Sequence, residues 1–236
     1  MEGKLGYLVQ YLLERATLRR QPQSMMSIKQ EFDKDKFNFN KIDESKELVC
    51  QLVNTDRESK QVERDILIIN VSPIDRGHCL LVPRVEAGLQ QVCCREGVGG
   101  TVSRCPLSPT MFHVLTLHSI TLALEVMNLS TSPHTKLAFN SLCANASVNH
   151  QHWHLYYQST RLALQSLPLS PWPDTPYYTF TGEEYPALGW VWLLRDMDKM
   201  DQVSREVVKL TMWLTDKEVA HNVVMTRFDK VYWDER

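Results

Sequence analysis

The sequence Ser147-Val148-Asn149-His150-Gln151-His152-Trp153-His154-Leu155-Tyr156-Tyr157 carries three histidines at alternate positions. Successive side chains of a β-strand point to opposite faces of the sheet. A strand in this stretch would therefore place all three imidazoles on one face. Trp153 and Leu155 would pack into a core on the other face. The stretch thus predicts a core strand with a row of histidines along one side.

An imidazole row can bind a metal, supply a nucleophile together with neighbours that orient it, or have no chemical role. The last use is unfavourable, because three histidines on one face repel each other when protonated. Neutral imidazole is the commonest protein ligand for zinc, although no Cys-x-x-Cys pair accompanies the row. A catalytic zinc on His150, His152 and His154 stays open beside covalent catalysis, in which the central imidazole attacks phosphorus.

The residues before the row favour covalent catalysis. Residues 140–147 are Asn-Ser-Leu-Cys-Ala-Asn-Ala-Ser, a run of small and amide side chains that suits a tight loop. Such a loop can present backbone N–H groups and hydroxyls to an anion. Phosphate oxygens therefore fit the predicted site better than a bare metal ion does.

The row and its loop resemble the signature of the histidine-triad nucleotide hydrolases and transferases. A wider set of segments is similar to one branch of that superfamily, the GDP-hexose phosphorylases, whose animal members act on GDP-D-glucose. These segments are Phe37–Ile42, Asn70–Pro73 with Gly77-His78, Phe139–Leu142 with Ala146–His150, and Ala220–Asn222. The resemblance extends from about Gly6 to Arg227. It implies an α+β fold that is histidine-triad-like, with a mainly antiparallel sheet and flanking helices.

The resemblance also implies an activity, the phosphorolysis of GDP-D-glucose or another GDP-hexose in two displacements. His152 is the implied nucleophile, which would release hexose 1-phosphate and form a guanylyl-histidine. Inorganic phosphate would then attack this intermediate and leave as GDP. His150 and His154 would orient the site and help to protonate the leaving oxygen. The implied substrate- and phosphate-binding residues are Asn140, Ser141, Ser147, Asn149 and His78, and the scheme requires no metal and no cofactor.

Two alternative functions remain open on the sequence. The first is a nucleotide hydrolase of the same superfamily, in which water replaces phosphate as the acceptor. The second is a nucleotide-binding protein without catalytic activity. The second alternative is suggested by length, because the family continues well past His221. We therefore expect a truncated or variant chain with marginal stability and weak activity.

Composition narrows the class of protein further. The chain has 236 residues and a formal net charge of −2, which gives no general attraction to nucleic acid or to acidic membranes. No apolar run approaches the roughly 20 residues of a membrane-spanning helix, and the N-terminus lacks a signal-peptide pattern. Six cysteines without such a signal indicate thiols in a reducing compartment. We expect a cytoplasmic protein whose partners are small molecules.

Hydrophobic periodicity and turn residues predict the remaining elements. Strands are expected at residues 48–53, 66–70, 78–83, 136–139, 190–194, 221–227 and 230–233, and helices at 111–129 and 201–214. Aromatic residues alternate with amides over Phe37–Ile42, which favours a half-buried strand. Residues 6–18 could form a strand or a short helix, 54–63 a turn, and 91–106 an irregular loop. Residues 1–157 are expected to form the catalytic core, 158–189 a loop rich in proline and aromatic residues, and 190–236 the start of an incomplete second half.

Overall fold

A computed structural model describes residues 12, 15, 20–53, 64–91, 115–182 and 185–227. Six of its strands are β1 (Leu48–Leu52), β2 (Asp65–Ile69), β3 (Cys79–Val82), β4 (Thr135–Asn140), β5 (Trp153–Tyr157) and β9 (Asn222–Thr226). They form one sheet in the order β1-β2-β3-β5-β4-β9, and every neighbouring pair is antiparallel. The predicted α+β class with a mainly antiparallel sheet is confirmed. So are the strands expected near residues 48, 66, 78, 136 and 221.

The helices are α1 (Glu44–Glu47), α2 (Leu117–Leu129) and α3 (Met200–Asp216). The predicted start of α2 at residue 111 lies outside the described residues, but residues 115 and 116 are described and are not helical, so the prediction is wrong there. The Thr116 hydroxyl accepts the N–H of Ser119 at 3.1 Å, which is the contact of an N-cap residue. The helix therefore begins at Leu117. The prediction for α3 is confirmed, and its apolar side buries Val207 and Leu214.

The sheet separates two hydrophobic cores. On one face, Trp153, Leu155 and Leu137 pack with α2 and α3, as the alternation in the histidine stretch predicted for Trp153 and Leu155. On the other face, Leu80 and Phe39 belong to a smaller cluster with the apolar residues of β2 and β3. Full burial of each such side chain stabilises a fold by roughly 1.5–3 kcal/mol. The histidine row lies on the side of the smaller core.

The strand predicted over Phe37–Ile42 is wrong. Phe39–Lys41 forms a 3-10 helix, and the side-chain oxygen of its N-cap, Asn38, accepts the N–H of Asn40 at 3.1 Å. The Asn38 amide nitrogen also donates to the carbonyls of Lys34 and Lys36. Asparagine competes for backbone groups in this way and favours turns and caps over strands. The alternation of aromatic and amide residues therefore reflects capping, and it buries Phe39 beside the histidines.

The segment after β5 is more ordered than a simple loop. Strands β6 (Ser170–Pro171), β7 (Tyr178–Phe180) and β8 (Gly189–Val191) form a separate three-stranded sheet. The strand predicted at 190–194 is thus shorter and begins one residue earlier. Helix α3 packs against α2, and β9 pairs with β4 along its whole length. Within residues 190–227, α3 therefore packs on the core, and β9 adds a strand to the large sheet beside β4.

Several predicted elements lie outside the described residues. They are most of 6–18, most of 91–106, and all of 54–63, 111–114 and 230–233. No helix in the described part of the chain is long and apolar enough to cross a membrane.

Candidate active site

The histidine row enters β5 but does not lie wholly within it. Regular strand structure begins at Trp153, so the prediction of a strand that contains all three histidines is wrong at its start. The reason is the end of the β4–β5 ladder, whose last residue pair is Ala138 with His154. His150 and His152 occupy the segment just before the strand, and 0% and 2% of their surfaces are exposed.

His152 is held as one tautomer by the main chain. Its Nδ1 lies 2.7 Å from the carbonyl oxygen of His150, and a carbonyl can only accept, so Nδ1 carries the proton. Nε2 of the neutral ring is then unprotonated. Burial lowers the pKa of His152 to about 4, because a charged ring is poorly solvated there. The ring is therefore neutral near pH 7, with a lone pair at Nε2 that can act as a nucleophile.

His150 is buried beside that nucleophile, and its ring is fixed by a main-chain contact. Its Nδ1 accepts the backbone N–H of Phe39 at 3.0 Å, which leaves the proton on Nε2. Burial, followed by the neighbouring His152, lowers the pKa of His150 to about 3. The backbone of Val85 favours a proton on this ring, but Nε2 makes no regular hydrogen bond to the residues that the structure describes. His150 thus orients His152 through its carbonyl group rather than through its ring.

His154 is oriented by a fourth histidine, His78, which the resemblance implied as a substrate- or phosphate-binding residue, a role that stays a prediction. Nε2 of His78 lies 3.0 Å from Nδ1 of His154, and Nδ1 of His78 accepts the N–H of Ile74 at 3.0 Å. The Ile74 contact puts the proton of His78 on Nε2. The Asn70 amide nitrogen also lies 3.1 Å from this atom but cannot accept a hydrogen bond, so the proton is donated to His154. The proton of the neutral His154 ring is therefore on its Nε2. The row then presents an unprotonated Nε2 on His152 and a protonated one on the adjacent His154.

Both rings of this second pair are neutral near pH 7. Burial, helped by the positive charge of Arg15, lowers the pKa of His78 to about 4. Burial is also the main cause that holds the pKa of His154 well below its usual range, and the charges of His152, His78 and Arg15 add to it. The ring centroids of His152 and His154 are 5.1 Å apart. Protonation of either ring would thus disfavour protonation of the other.

The loop between β4 and β5 is tight, as its small residues predicted. Cys143 and Asn145 both adopt the left-handed region, with φ values of 61° and 78°. Ser147 is exposed on this loop. Ser141 is buried, and its hydroxyl donates to the carbonyl of Leu142 at 3.1 Å and accepts the N–H of His221 at 2.9 Å. Ser141 therefore ties the end of β4 to the start of β9, and phosphate binding by Ser141 and Ser147 stays a prediction.

The two predicted asparagines also have contacts within the protein. Asn140 ends β4, and its carbonyl accepts a hydrogen bond from the Gln91 amide at 2.9 Å. The Asn149 side chain accepts the N–H of Gln91 at 3.0 Å and donates to the carbonyls of Gln30 and Glu31. Asn149 therefore joins three chain segments behind the row. Its phosphate-binding role, and that of the Asn140 side chain, stay predictions.

Sequence reasoning missed two residues that contact the row. Phe39 packs against His150 and His152, with ring centroids 5.3 and 5.1 Å apart. Gln91 is fully buried, and its side-chain oxygen accepts the N–H of His152 at 2.7 Å. Gln91 was predicted to open an irregular loop. Its neighbours show no hydrophobic period, and thus no signal that could have identified it.

The described residues contain no group of three or more His, Cys, Asp or Glu side chains placed to hold a metal ion. The imidazoles of the row therefore do not converge as a ligand set. They form instead a line of fixed tautomers. This arrangement suits covalent catalysis, in which one nitrogen attacks and an adjacent one donates a proton or a hydrogen bond.

Comparison with known sequences shows that most of the chain is similar to GDP-hexose phosphorylases. The profile described as GDPGP1-like, N-terminal domain, matches residues 1–108 and 105–156. GDP-D-glucose phosphorylase 1 of Danio rerio is 36% identical over 228 residues, which cover 96% of this chain and 57% of the relative. The human protein of the same name is 33% identical, with coverages of 96% and 54%. The chain thus spans slightly more than half the length of these relatives.

Two more distant proteins are also similar to parts of the chain. GDP-L-galactose phosphorylase 1 of Arabidopsis thaliana is 31% identical over 180 residues, which cover 70% of this chain and 35% of the relative. The chain also matches the crystal structure of yeast Ap4A phosphorylase Apa2 in complex with AMP. The match covers 73% of this chain and 56% of the yeast chain, with 16% sequence identity and a TM-score of 0.37. That structural likeness is too loose to support an argument about function.

Proposed function

Because the chain belongs to the GDPGP1-like family, we propose that it transfers a guanylyl group from a GDP-hexose, with GDP-D-glucose as the first candidate, to inorganic phosphate. The observation that carries the proposal is the fixed tautomer of His152, whose Nδ1 lies 2.7 Å from the His150 carbonyl. That contact leaves Nε2 unprotonated at neutral pH without the need for a separate base. A nucleophile in this state is the requirement of the first displacement.

In the first step, Nε2 of His152 forms a bond to the α-phosphorus. The bond from that phosphorus to the bridging oxygen breaks, and its electron pair leaves with hexose 1-phosphate. The guanylylated ring becomes cationic, and the hydrogen bond from Nδ1 to the His150 carbonyl stabilises that charge. The proton on Nε2 of His154 is suited to hydrogen-bond the leaving oxygen as negative charge develops on it.

In the second step, an oxygen of inorganic phosphate attacks the same phosphorus. The N–P bond breaks, its electron pair returns to Nε2 of His152, and GDP is released. Transfer of this kind depends mainly on positioning and on stabilisation of charge. The tight loop between β4 and β5, with the exposed Ser147, is the proposed cradle for the α-phosphate oxygens. The three cysteines within the described residues, Cys50, Cys79 and Cys143, form no disulfide with one another, in keeping with the proposed cytoplasmic location.

Covalent labelling tests the proposal. The chain is mixed with GDP-glucose that carries a radioactive α-phosphate, without any acceptor. Label should survive denaturation, be lost in acid and persist in alkali, as expected of an N–P bond. Addition of phosphate should then release labelled GDP. Release of labelled GMP in water alone would identify a hydrolase instead, and binding without covalent label would contradict the proposal.

A further inference from the structure

The β4–β5 ladder stops two residues short of the nucleophile. Its last pair is Ala138 with His154, and continued register would place Asn140 opposite His152, since residue numbers in an antiparallel pair change in opposite directions. The two residues are connected by a third instead. Nε2 of Gln91 donates to the carbonyls of Asn140 at 2.9 Å and His152 at 3.1 Å. The Gln91 side-chain oxygen accepts the N–H of His152 at 2.7 Å.

We propose that Gln91 is a positioning residue, whose amide is inserted between β4 and β5 and fixes the main chain of the nucleophile His152. A side-chain amide has the same donor and acceptor groups as a peptide unit. Here it bonds both the N–H and the C=O of His152, as an adjacent strand would. The two strands are thereby held apart at the nucleophile without leaving buried backbone groups unpaired, which would be costly.

The surrounding contacts hold Gln91 itself in place. Its backbone N–H donates to the side chain of Asn149 at 3.0 Å, which is anchored in turn to the carbonyls of Gln30 and Glu31. The neighbouring Leu89 carbonyl accepts the N–H of Gln151 at 2.7 Å. Leu89 and Gln91 therefore lie beside the histidine segment and are bonded to it at residues 149, 151 and 152. No side chain in this set needs to touch a substrate to affect the site.

The consequence for chemistry follows from the tautomer of His152. Its Nδ1 can donate to the His150 carbonyl at 2.7 Å only if the main chain of residues 150–152 keeps its present conformation. A displacement of that main chain would weaken the contact, allow the proton to move to Nε2, and misplace the attacking nitrogen. Misplacement of a reacting group by about 1 Å can reduce a rate by about 100-fold. The inference that this affects catalysis rests on the proposed function, whereas the effect on the tautomer does not.

Gln91→Glu tests the inference in the full chain. A glutamate can still accept the N–H of His152, but even when it is protonated it can donate to only one of the two carbonyls. Long-range nitrogen–proton NMR should show His152 mainly with its proton on Nδ1 in the wild type, and a mixture of tautomers in the variant. Guanylyl label should form at least about 10-fold more slowly, while affinity for GDP changes by less than about 3-fold.

Gln165→Glu is the matched control. Gln165 is also a buried amide that joins two segments, since it accepts the N–H of Leu162 and donates to the carbonyl of Arg227. It lies away from the row and should leave both readouts unchanged. If Gln91→Glu keeps the wild-type tautomer, or if Gln165→Glu alters it equally, the positioning role is refuted. If the wild-type chain takes up no label but Gln91→Glu still shows the expected tautomer change, the proposed function alone is refuted.

Discussion

The two ends of the histidine row are held in different ways. The main chain fixes the rings of His150 and His152, through the N–H of Phe39 and the carbonyl of His150. A second ring, that of His78, fixes His154. A main-chain partner cannot titrate, and substitution of its side chain does not remove it. A ring partner can titrate, and substitution of its side chain does remove it. The nucleophile end should therefore tolerate changes in neighbouring side chains that do not bond its main chain, unlike Gln91. The donor end should be sensitive to a change at His78.

The largest expected effect is that of His152→Asn. The asparagine amide nitrogen lies close to the position of Nδ1, so it can still donate to the His150 carbonyl, but it offers no nucleophile. Formation of guanylyl label should fall by at least about 1,000-fold, with little change in GDP affinity. The measurement is the initial rate of label incorporation under single-turnover conditions.

His150→Asn is the control at the same end of the row. The variant keeps the carbonyl that orients His152, and an asparagine oxygen can replace Nδ1 as acceptor for Phe39. We expect its labelling rate to stay within about 10-fold of the wild type. A loss as large as that of His152→Asn would show that the ring of His150, and not its main chain, acts in the chemistry.

The next effect is expected at His78, where glutamine and asparagine should differ. The amide nitrogen of glutamine reaches about as far as the imidazole Nε2 and can still donate to His154, whereas that of asparagine falls short. Labelling should slow by about 10- to 100-fold in His78→Asn and clearly less in His78→Gln. Equal rates in the two variants would mean that the contact between His78 and His154 does not matter for transfer.

The sequence predicted which residues meet at the site better than it predicted their partners. Alternate spacing was sufficient to place the three histidines on one side of β5 and Trp153 on the other. The placement of the row depends on local geometry, because side chains two residues apart share a face of a strand. The assignment of His78 to the site came instead from the family resemblance of the segment around Gly77-His78.

Two of the partners that hold the row come from distant segments. Phe39 lies 111 residues from His150, and Gln91 lies 61 residues from His152. Gln91 belongs to no motif or periodic pattern, and the alternation around Phe39 gives no sign of a contact with the histidines. Only the folded chain brings either residue to the row. Phe39 was assigned to a strand because Asn38 was interpreted as an alternating polar residue and not as a cap. Side-chain capping therefore accounts for one error in the fold and one omission in the site.

Acid should destabilise the fold through the buried rings. The pKa of His152 is about 4 in the folded chain and near 6.5 ordinarily, so below pH 6.5 the unfolded chain binds more protons. Stability therefore falls as the pH decreases from about 6.5 towards 4, by as much as about 2 kcal/mol at pH 5 for one such ring. Urea unfolding at pH 7.5 and 5.0 measures this loss. It should be smaller in His152→Asn by about that amount, and an equal loss in both proteins would show that His152 is protonated when folded.

The smallest expected effect concerns the face of the sheet opposite the row. Trp153 is fully buried among the helices, and its indole N–H donates to the hydroxyl of Ser119 at 2.9 Å. Trp153→Phe removes that donor and leaves a buried hydroxyl without it, so the free energy of unfolding should fall by about 1–2 kcal/mol. A double-mutant cycle with Ser119→Ala should give a coupling of about 1 kcal/mol. The labelling rate should not change, because the tautomer of His152 depends on main-chain contacts that the Trp153 side chain does not make. A labelling defect of 10-fold or more at normal stability would show instead that packing on the helix side reaches the nucleophile, and that the main-chain contacts alone do not fix it.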